Sequence, residues 1–279
     1  MKVVIVGQVC IDHNLSENSA YIGAGGPPIF ISKIFSQLPD STCTIVSLYG
    51  EDFVPYLKNI SCYPTKPFYK KTLSYQNISK NNKRHQKILF NEPIKSVKIT
   101  EKLMQILKRA DILFFTPLTA DYKINYVKKI VKLLPPLTLK IFLPQGYLRK
   151  PCSGNNVIER DFREADQLIS LFDFIIVSNQ DLKKSTKVAE NWSEKTNVIV
   201  TLGDKGAVCV FKKRKIFVSV KKVPTDQIVD SVGSGDIFAA VFGYRYWLTK
   251  DVKKSLTLAN HIARQCLFSQ AKNLRFKID

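Results

Sequence analysis

The sequence lacks the features that mark membrane proteins, disulfide-stabilised proteins and histidine-based metal proteins. It has no run of 18 apolar residues, so no transmembrane helix is expected. Its six cysteines include no C-x-x-C pair and fit no zinc pattern, which favours free thiols and a reducing, cytoplasmic environment. Its three histidines show no metal spacing. The apolar run at the N-terminus stops at Gly7, which is too short for a signal peptide.

Acidic side chains are scarce beside basic ones, with 23 Asp and Glu against 43 Lys and Arg and a formal net charge of +20. Such an excess occurs in nucleic-acid-binding proteins, and this remains one alternative. Here, however, the basic residues are dispersed in short pairs such as Lys128-Lys129, without a basic tail or a nucleic-acid motif. We therefore interpret them as a solvated surface and expect no specific nucleic acid partner and no membrane partner.

Internal repeats, low-complexity segments and a recognisable linker are also absent, which favours a single domain over residues 1–279. Short apolar runs alternate with longer amphipathic segments, a pattern typical of a mostly parallel sheet covered by helices on both faces. Strands are predicted at 3–6, 44–48, 112–115, 140–143, 174–177, 198–201 and 207–211. Helices are predicted at 28–38, 101–109, 123–133, 163–171, 180–190, 235–248 and 252–268.

Residues 68–90 break this alternation and predict two exposed strands around the Asn81-Asn82 turn. A hairpin inserted in an α/β domain can close over a site as a lid. The alternative is a surface hairpin without function. Exposed strand edges in such a hairpin could also pair two protomers into a homodimer.

The segment 230–236, Asp-Ser-Val-Gly-Ser-Gly-Asp, precedes an apolar run and carries the strongest chemical signal. Glycines before a helix let backbone N–H groups approach an anion, and the helix dipole adds positive potential there. Asp236 would lie in the first helical turn, where a carboxylate can accept a hydroxyl proton. From the residues alone, the alternative is a glycine-rich loop followed by an ordinary first-turn acid.

This segment resembles the C-terminal signature of the ribokinase-like (PfkB-type) sugar kinases, in which Asp-Thr-x-Gly-Ala-Gly-Asp precedes a helix. Ser231 stands in place of Thr, and Ser234 in place of Ala. In that family the last Asp is the catalytic base and the preceding amides form an anion hole. The resemblance therefore implies that Asp236 is the base and that Gly233, Ser234 and Gly235 form the anion hole.

Segments on the acceptor side resemble the family's elements in the expected order. Asp12 follows the first apolar run, as does the family's acceptor-binding Asp. Gly25 and Gly26 are similar to the glycine pair that lets the backbone approach the acceptor. The resemblance implies that these three residues bind substrate. Taken singly, Asp12 fits a cap or turn residue, and the two glycines fit a simple turn.

Segments on the donor side also resemble the family. Thr201, Gly203 and Gly206 are similar to its T-L-G-x-x-G strand and turn beside the nucleotide, and Asn260 to a late helix that flanks the adenine. The resemblance implies nucleotide binding by these residues. Taken singly, the first three fit a hairpin, and Asn260 fits a solvated helix position.

The family's N-x-x-E motif, which organises water around magnesium, is altered in this chain. Its counterpart is Ser-Asn-Gln-Asp at 178–181, where Asp181 keeps a shortened carboxylate. A slip of one residue would use Asn179 instead. The resemblance implies that Asp181 holds magnesium indirectly, through water.

The stretch Gln145-Gly-Tyr-Leu-Arg149 resembles the family's myo-inositol kinase-like branch. That branch also has Phe-Ile-Ser after its glycine pair, as at 30–32 here. Gln145 and Arg149 could therefore contact an acceptor hydroxyl or a phosphate. The alternative is that both side chains only structure the loop.

The resemblance implies a ribokinase-like three-layer α/β sandwich with a mostly parallel central sheet and a small β-lid. The expected activity is transfer of the γ-phosphoryl group of ATP, with Mg²⁺, to a hydroxyl of a small carbohydrate or an inositol-like cyclitol. Two alternatives remain. One is a nucleoside kinase of the same fold, in which Phe30 or Tyr21 lines an aromatic slot. The other is a kinase homologue that only binds ligand.

Overall fold

Fifteen strands and eight α-helices are assigned in the computed structural model, which describes residues 1–16, 19–80, 83–91, 95–182 and 184–270. The strands are β1 (Lys2–Gly7), β2 (Cys10–Ser16), β3 (Ser19–Gly25), β4 (Thr42–Val46), β5 (Ser61–Tyr63), β6 (Ser74–Lys80), β7 (Lys83–Phe90), β8 (Ile112–Thr116), β9 (Leu139–Phe142), β10 (Arg149–Pro151), β11 (Val157–Glu159), β12 (Phe174–Ser178), β13 (Asn197–Thr201), β14 (Ala207–Phe211) and β15 (Arg214–Val218). The helices are α1 (Pro27–Phe35), α2 (Glu101–Leu107), α3 (Ile124–Lys132), α4 (Gln145–Leu148), α5 (Ala165–Leu168), α6 (Ser185–Trp192), α7 (Ser234–Thr249) and α8 (Val252–Gln265).

Nine of these strands form the central sheet, in the order β15-β14-β13-β12-β9-β8-β1-β4-β5. The strands from β13 to β5 in this order are parallel, and β14 runs antiparallel to both of its neighbours. All seven predicted strands are confirmed; six of them are apolar runs buried on both faces, whereas β4 is buried only at its carboxyl end. Strand β15 was not predicted, since at this edge of the sheet its residues are mostly exposed and two of them are basic.

The core has two halves because neighbouring residues of a strand point to opposite faces of the sheet. Phe114 packs on the face covered by α1, α7 and α8, whereas Phe115 packs on the face covered by α2, α3, α5 and α6. Helix α7 is buried continuously from 237 to 243, since it lies against the sheet between two other helices. These contacts fix the N-terminus of α7 relative to the sheet.

A second sheet of four strands, in the order β3-β2-β6-β7, forms what we call the lid sheet. Two predictions are corrected here. Asp12 lies on β2, inside this sheet, so it is not the cap or turn residue that its position in the sequence suggested. The predicted hairpin begins only at Ser74, and its Asn81-Asn82 turn lies outside the described residues. Strands β2 and β3 supply half of the lid sheet, and neither strand was predicted from the sequence.

The carboxyl ends of the parallel strands lie at one edge of the central sheet, where ligands bind in open α/β folds. The lid sheet is attached to this edge, because β2 follows β1 after two residues. The buried side chain of Gln8 ties this connection to the loop after β8, donating to Thr119 Oγ1 at 2.6 Å. No helix within the described residues is long and apolar enough to cross a membrane.

Candidate active site

The N-terminus of α7 forms an open cradle at the residues that were predicted to bind an anion. Gly233 precedes the helix with a φ of 77°, and a Cβ there would lie 2.5 Å from the Phe30 ring, so only glycine fits. Gly235 differs, because a Cβ there would meet no atom of the described residues within 4 Å. Asp236 lies half-buried in the first turn. The space above Gly235 can therefore receive a phosphate beside a carboxylate, where helix N–H groups lack intrahelical partners.

The loop that leads into this helix is held by its own side chains and by the lid sheet. Asp230 Oδ1 accepts a hydrogen bond from the Val232 N–H at 2.9 Å, and Ser234 Oγ donates to the Ser231 carbonyl at 2.9 Å. The other oxygen of Asp230, Oδ2, accepts from the Tyr21 hydroxyl at 2.7 Å. Because Tyr21 lies on β3, this bond joins the lid sheet to the predicted anion hole.

Asp12 is buried on the inner face of the lid sheet, packed against a glycine. A Cβ at Gly25 would lie 2.0 Å from Asp12 Oδ2, and Cys10 Sγ donates to Asp12 Oδ1 at 3.4 Å. Gly26 begins α1 with a φ of 86°. Three of the predicted substrate-binding residues, Asp12, Gly25 and Gly26, are therefore in one place. The close packing at Gly25 and the positive φ at Gly26 require glycine whether or not a ligand binds there.

Arg149 joins the lid sheet to the end of β12. Its Nη1 donates to Gln86 Oε1 at 2.9 Å, and its Nη2 forms an ion pair with Asp181 Oδ1. The Gln145 amide is satisfied with its oxygen facing Arg149, 2.9 Å from both Nη atoms. Gln86 is held in turn by Asn77, to whose Oδ1 it donates at 2.9 Å. A chain of polar side chains thus crosses from the lid to the altered N-x-x-E segment.

A cavity of about 270 Å³ lies beneath the lid sheet and collects the second group of predicted substrate-binding residues. Polar groups on its wall include Gln86, Thr119, Asp121, Gln145 and Arg149. Tyr75 adds an aromatic surface, and burial raises the pKa of its hydroxyl, which stays protonated. Tyr75 is also the β6 partner of Asp12 across the lid sheet, so the two predicted acceptor groups are neighbours.

The predicted nucleotide-binding residues lie around the β13–β14 hairpin and α8. Thr201 ends β13, and the turn that follows holds Gly203 with a φ of 61° and Gly206 with a φ of 102°. Asn260 is buried and donates to the Val218 carbonyl at 3.0 Å. A Cβ at Gly206 would lie 2.1 Å from that same carbonyl oxygen. The turn and α8 are therefore packed together at the end of β15.

The segment predicted to organise magnesium is engaged in protein contacts. Asp181 is paired with Arg149, and Ser178 Oγ accepts from the Gln180 N–H at 3.1 Å. Within the described part of the chain, no group of three or more His, Cys, Asp or Glu side chains could hold a metal alone. The donor set therefore fits a metal that is held chiefly by phosphate oxygens, with one protein carboxylate nearby.

Sequence reasoning missed the residues that connect these groups. Gln86 and Asp121 carried no motif, and Tyr21 was considered only as an aromatic wall. Phe30, the other aromatic candidate for a nucleoside slot, is buried beneath Gly233 and serves the packing of α7. Alternation along β3 places Tyr21, Gly23 and Gly25 on one face. This spacing of an aromatic residue and two glycines is the signal that could have indicated a strand with a functional face.

Comparison with known proteins finds relatives among the carbohydrate kinases. Residues 142–274 match the family described as pfkB family carbohydrate kinase. An uncharacterized sugar kinase of Archaeoglobus fulgidus is 41% identical over 70 residues, which cover 25% of this chain and 27% of that protein. A ribokinase of Dictyostelium discoideum is 28% identical over 174 residues, covering 60% and 49% of the two chains. The chain thus spans less than half the length of the curated relatives it matches.

Solved structures agree over nearly the whole chain. A pyrophosphate-dependent kinase in the ribokinase family, complexed with a pyrophosphate analog and myo-inositol, has a TM-score of 0.73 at 14% identity and covers 94% of this chain and 93% of its own. The Thermotoga maritima ribokinase has a TM-score of 0.69 at 18% identity, with coverages of 96% and 93%. The Methanocaldococcus jannaschii nucleoside kinase has a TM-score of 0.66 at 19% identity, with coverages of 96% and 92%. The C-terminal half of the chain thus matches the pfkB family of carbohydrate kinases, and nearly its whole length has the ribokinase-like fold.

Proposed function

We propose that this protein transfers the γ-phosphoryl group of ATP to a hydroxyl of a small carbohydrate or an inositol-like cyclitol. The observation that carries the proposal is the N-terminus of α7, with open space above Gly235 and Asp236 in the first turn. No packing contact occupies that space, so a phosphoryl group can approach the backbone there. The cradle lies next to the lid sheet, to which Tyr21 and Asp230 connect it.

In the proposed reaction, Asp236 takes the proton of the acceptor hydroxyl as its oxygen bonds to the γ-phosphorus. The bond from that phosphorus to the bridging oxygen breaks, and ADP leaves. The N–H groups at 233–236 stabilise the charge on the transferring group, because the helix N-terminus is already oriented toward it. The carboxylate and the amides thus act from the same helical turn.

Magnesium, when bound to the donor phosphates, neutralises part of their negative charge. Asp181 would hold it indirectly, through water. The Arg149 partner of Asp181 links this carboxylate to the acceptor side of the cleft. We propose Thr201, Gly203, Gly206 and Asn260 as the walls of the nucleotide site. A pyrophosphate donor is the competing possibility, since one structural relative is pyrophosphate-dependent.

A polyhydroxylated acceptor would find hydrogen-bonding groups on the wall of the cavity under the lid sheet. Its wall offers amide, hydroxyl, carboxylate and guanidinium groups from Gln145, Thr119, Asp121 and Arg149. Each buried hydroxyl left without a partner costs about 1–3 kcal/mol, so a polyol requires such a wall. A nucleoside base requires an aromatic slot. The burial of Phe30 under Gly233 removes one of the two candidates from the sequence, whereas the Tyr75 ring on the cavity wall keeps the nucleoside alternative open.

Competition between acceptors tests the proposal. Myo-inositol, ribose, fructose and adenosine at equal concentration are incubated with the protein, Mg²⁺ and either ATP or pyrophosphate, and the phosphorylated products are separated. We expect a polyol to be phosphorylated from ATP. A preference for adenosine above about tenfold in kcat/KM, roughly 1.4 kcal/mol, would contradict the polyol acceptor and support only the assignment as a kinase. Faster turnover with pyrophosphate than with ATP would mean that pyrophosphate is the donor.

We further propose a cytoplasmic protein that dimerises through the lid sheet. All six cysteines are free thiols, as in a reducing compartment. The outer face of the lid sheet exposes Leu15 at 40% and Ile22 at 59%, an apolar surface that a second lid could cover. Sedimentation of Ile22→Lys against the unsubstituted protein tests the dimer, because a charge at this position should leave only monomer.

A further inference from the structure

Residues 230–236, which we call the anion-binding loop, contact the segment from Tyr21 to Phe30 at two separate points. Phe30 lies against Gly233, in the middle of the loop and just before α7, where a Cβ would be 2.5 Å from its ring. Tyr21 reaches Asp230, at the beginning of the loop, through its hydroxyl. The first contact comes from α1 in the body of the protein, whereas the second comes from β3 of the lid sheet.

The inner face of β3 is shaped to carry the Tyr21 ring. Tyr21, Gly23 and Gly25 alternate with Ala20, Ile22 and Ala24, so the first three share the inner face. A Cβ at Gly23 would contact only the Tyr21 ring, at 3.9 Å. The ring is therefore next to an open glycine surface, and its hydroxyl extends beyond the strand to the loop.

Asp230 divides its carboxylate between the lid and the loop. Its Oδ2 accepts from Tyr21 at 2.7 Å, and its Oδ1 accepts from the Val232 N–H at 2.9 Å. Hydrogen bonds to a carboxylate are stronger than those between neutral groups. A shift of β3 that moves Asp230 therefore also moves Val232, the residue just before Gly233.

We propose that Tyr21 is a positioning residue, which acts through Asp230 to align the anion-binding loop when the lid sheet is seated. This rests on the proposed function, because alignment matters only if phosphate is transferred above Gly235. Tyr21 makes no bond to the reacting atoms in this scheme. The Tyr21 hydroxyl raises the fraction of bound complexes in which the acceptor and the anion hole are correctly aligned. Its loss should therefore lower kcat more than it changes KM.

The variant Tyr21→Phe tests this, because it keeps the ring and removes only the hydroxyl. Tyr63→Phe is the matched control: its hydroxyl makes a bond of 2.6 Å with Thr100 Oγ1, away from the cleft. We expect kcat to fall about tenfold in Tyr21→Phe, with the acceptor KM changed by less than about threefold. The control should stay within about twofold in both. Equal kcat values for the two variants would overturn the proposal.

Hydrogen exchange of the ligand-free protein provides a readout that does not depend on turnover. The amides of 230–236 should exchange faster in Tyr21→Phe than in Tyr63→Phe, since Asp230 loses one of its anchors. Unchanged exchange at these amides would overturn the link whatever the kinetics. If the unsubstituted protein phosphorylates nothing, the proposed function fails by itself, and the exchange experiment still decides whether Tyr21 orders the loop.

In kinetics, a double-mutant cycle with Asp230→Asn completes the test. If the two residues act through one bond, Tyr21→Phe should lower kcat much less in the Asp230→Asn background than alone. Full additivity would contradict the proposal, because it would mean that Tyr21 acts by another route.

Discussion

The anion-binding loop and the lid sheet are joined by the hydrogen bond from Tyr21 to Asp230 but are built in different ways. The loop is seven consecutive residues, 230–236, and its geometry follows from two glycines and a helix N-terminus. The polar side of the lid sheet is assembled from β2, β3, β6 and β7, and its network extends to Arg149 and Asp181. We propose that the loop carries the chemistry of phosphoryl transfer, whereas the lid sheet adapts that chemistry to one acceptor. Substitutions can test this division.

The largest effect is expected at the loop, from Asp236→Asn. The amide has nearly the shape of the carboxylate but is a poor base, so kcat should fall by about 10²–10⁴-fold. Donor binding, measured by calorimetry, should persist, because the backbone amides remain. Asp226→Asn changes an exposed acid just before the loop and serves as control. A near-normal kcat in Asp236→Asn would exclude it as the base.

A smaller loss is expected from Gly235→Ala, which tests the cradle without disturbing the fold. The added methyl would meet no protein atom within 4 Å, so the melting temperature should not change. It would, however, occupy the place of the phosphoryl group, and a displacement of about 1 Å can cost about 10²-fold in rate. Normal turnover in this variant would mean that phosphate does not bind above Gly235.

On the lid side, Gln145→Ala should reduce kcat/KM for the true acceptor and leave the donor KM unchanged. Removing one hydrogen bond to an uncharged group costs about 0.5–1.5 kcal/mol, so the loss should be about tenfold at most. The loss should also differ between acceptors, being small for any that does not reach Gln145. An equal loss for every acceptor would assign Gln145 to the structure of the loop rather than to specificity.

The smallest effect should come from Gln86→Ala, which removes the lid contact of Arg149. We expect the acceptor KM to rise a few-fold, since Arg149 keeps its bonds to Gln145 and Asp181. His85→Ala alters the neighbouring exposed residue of the same strand and should change nothing. Identical kinetics in the two variants would show that the lid does not orient Arg149.

The same division explains what the sequence could predict. Seven of the nine strands of the central sheet were predicted from their apolar runs, whereas the edge strands β5 and β15 were not, and the anion-binding loop was predicted because its residues are contiguous. Strands β2 and β3 were missed, because their inner face carries Asp12, Tyr21 and glycines rather than apolar residues. Alternation of polar and apolar residues, the usual sign of a half-buried strand, is therefore weak in them.

Contacts between distant segments could not be predicted from one sequence. Tyr21 and Asp230 are 209 positions apart, and Arg149 and Asp181 are 32 apart, so only the tertiary fold brings them together. Resemblance assigned Asp181 to the magnesium site. The structure adds its ion pair with Arg149, which connects this position to the acceptor side. Such links depend on how the lid sheet sits on the central sheet, which no local pattern encodes.

The most direct test of phosphoryl transfer is to follow the phosphorus itself. The protein, Mg²⁺ and ATP labelled in the γ-phosphoryl group are incubated with pooled polyols, and the label is traced by mass spectrometry, with Asp236→Asn in parallel. We predict that the label appears as a phosphate ester on a polyol hydroxyl with the unsubstituted protein and not with the variant. Label found only in inorganic phosphate, or on the same ester at equal rates in both samples, would contradict the account.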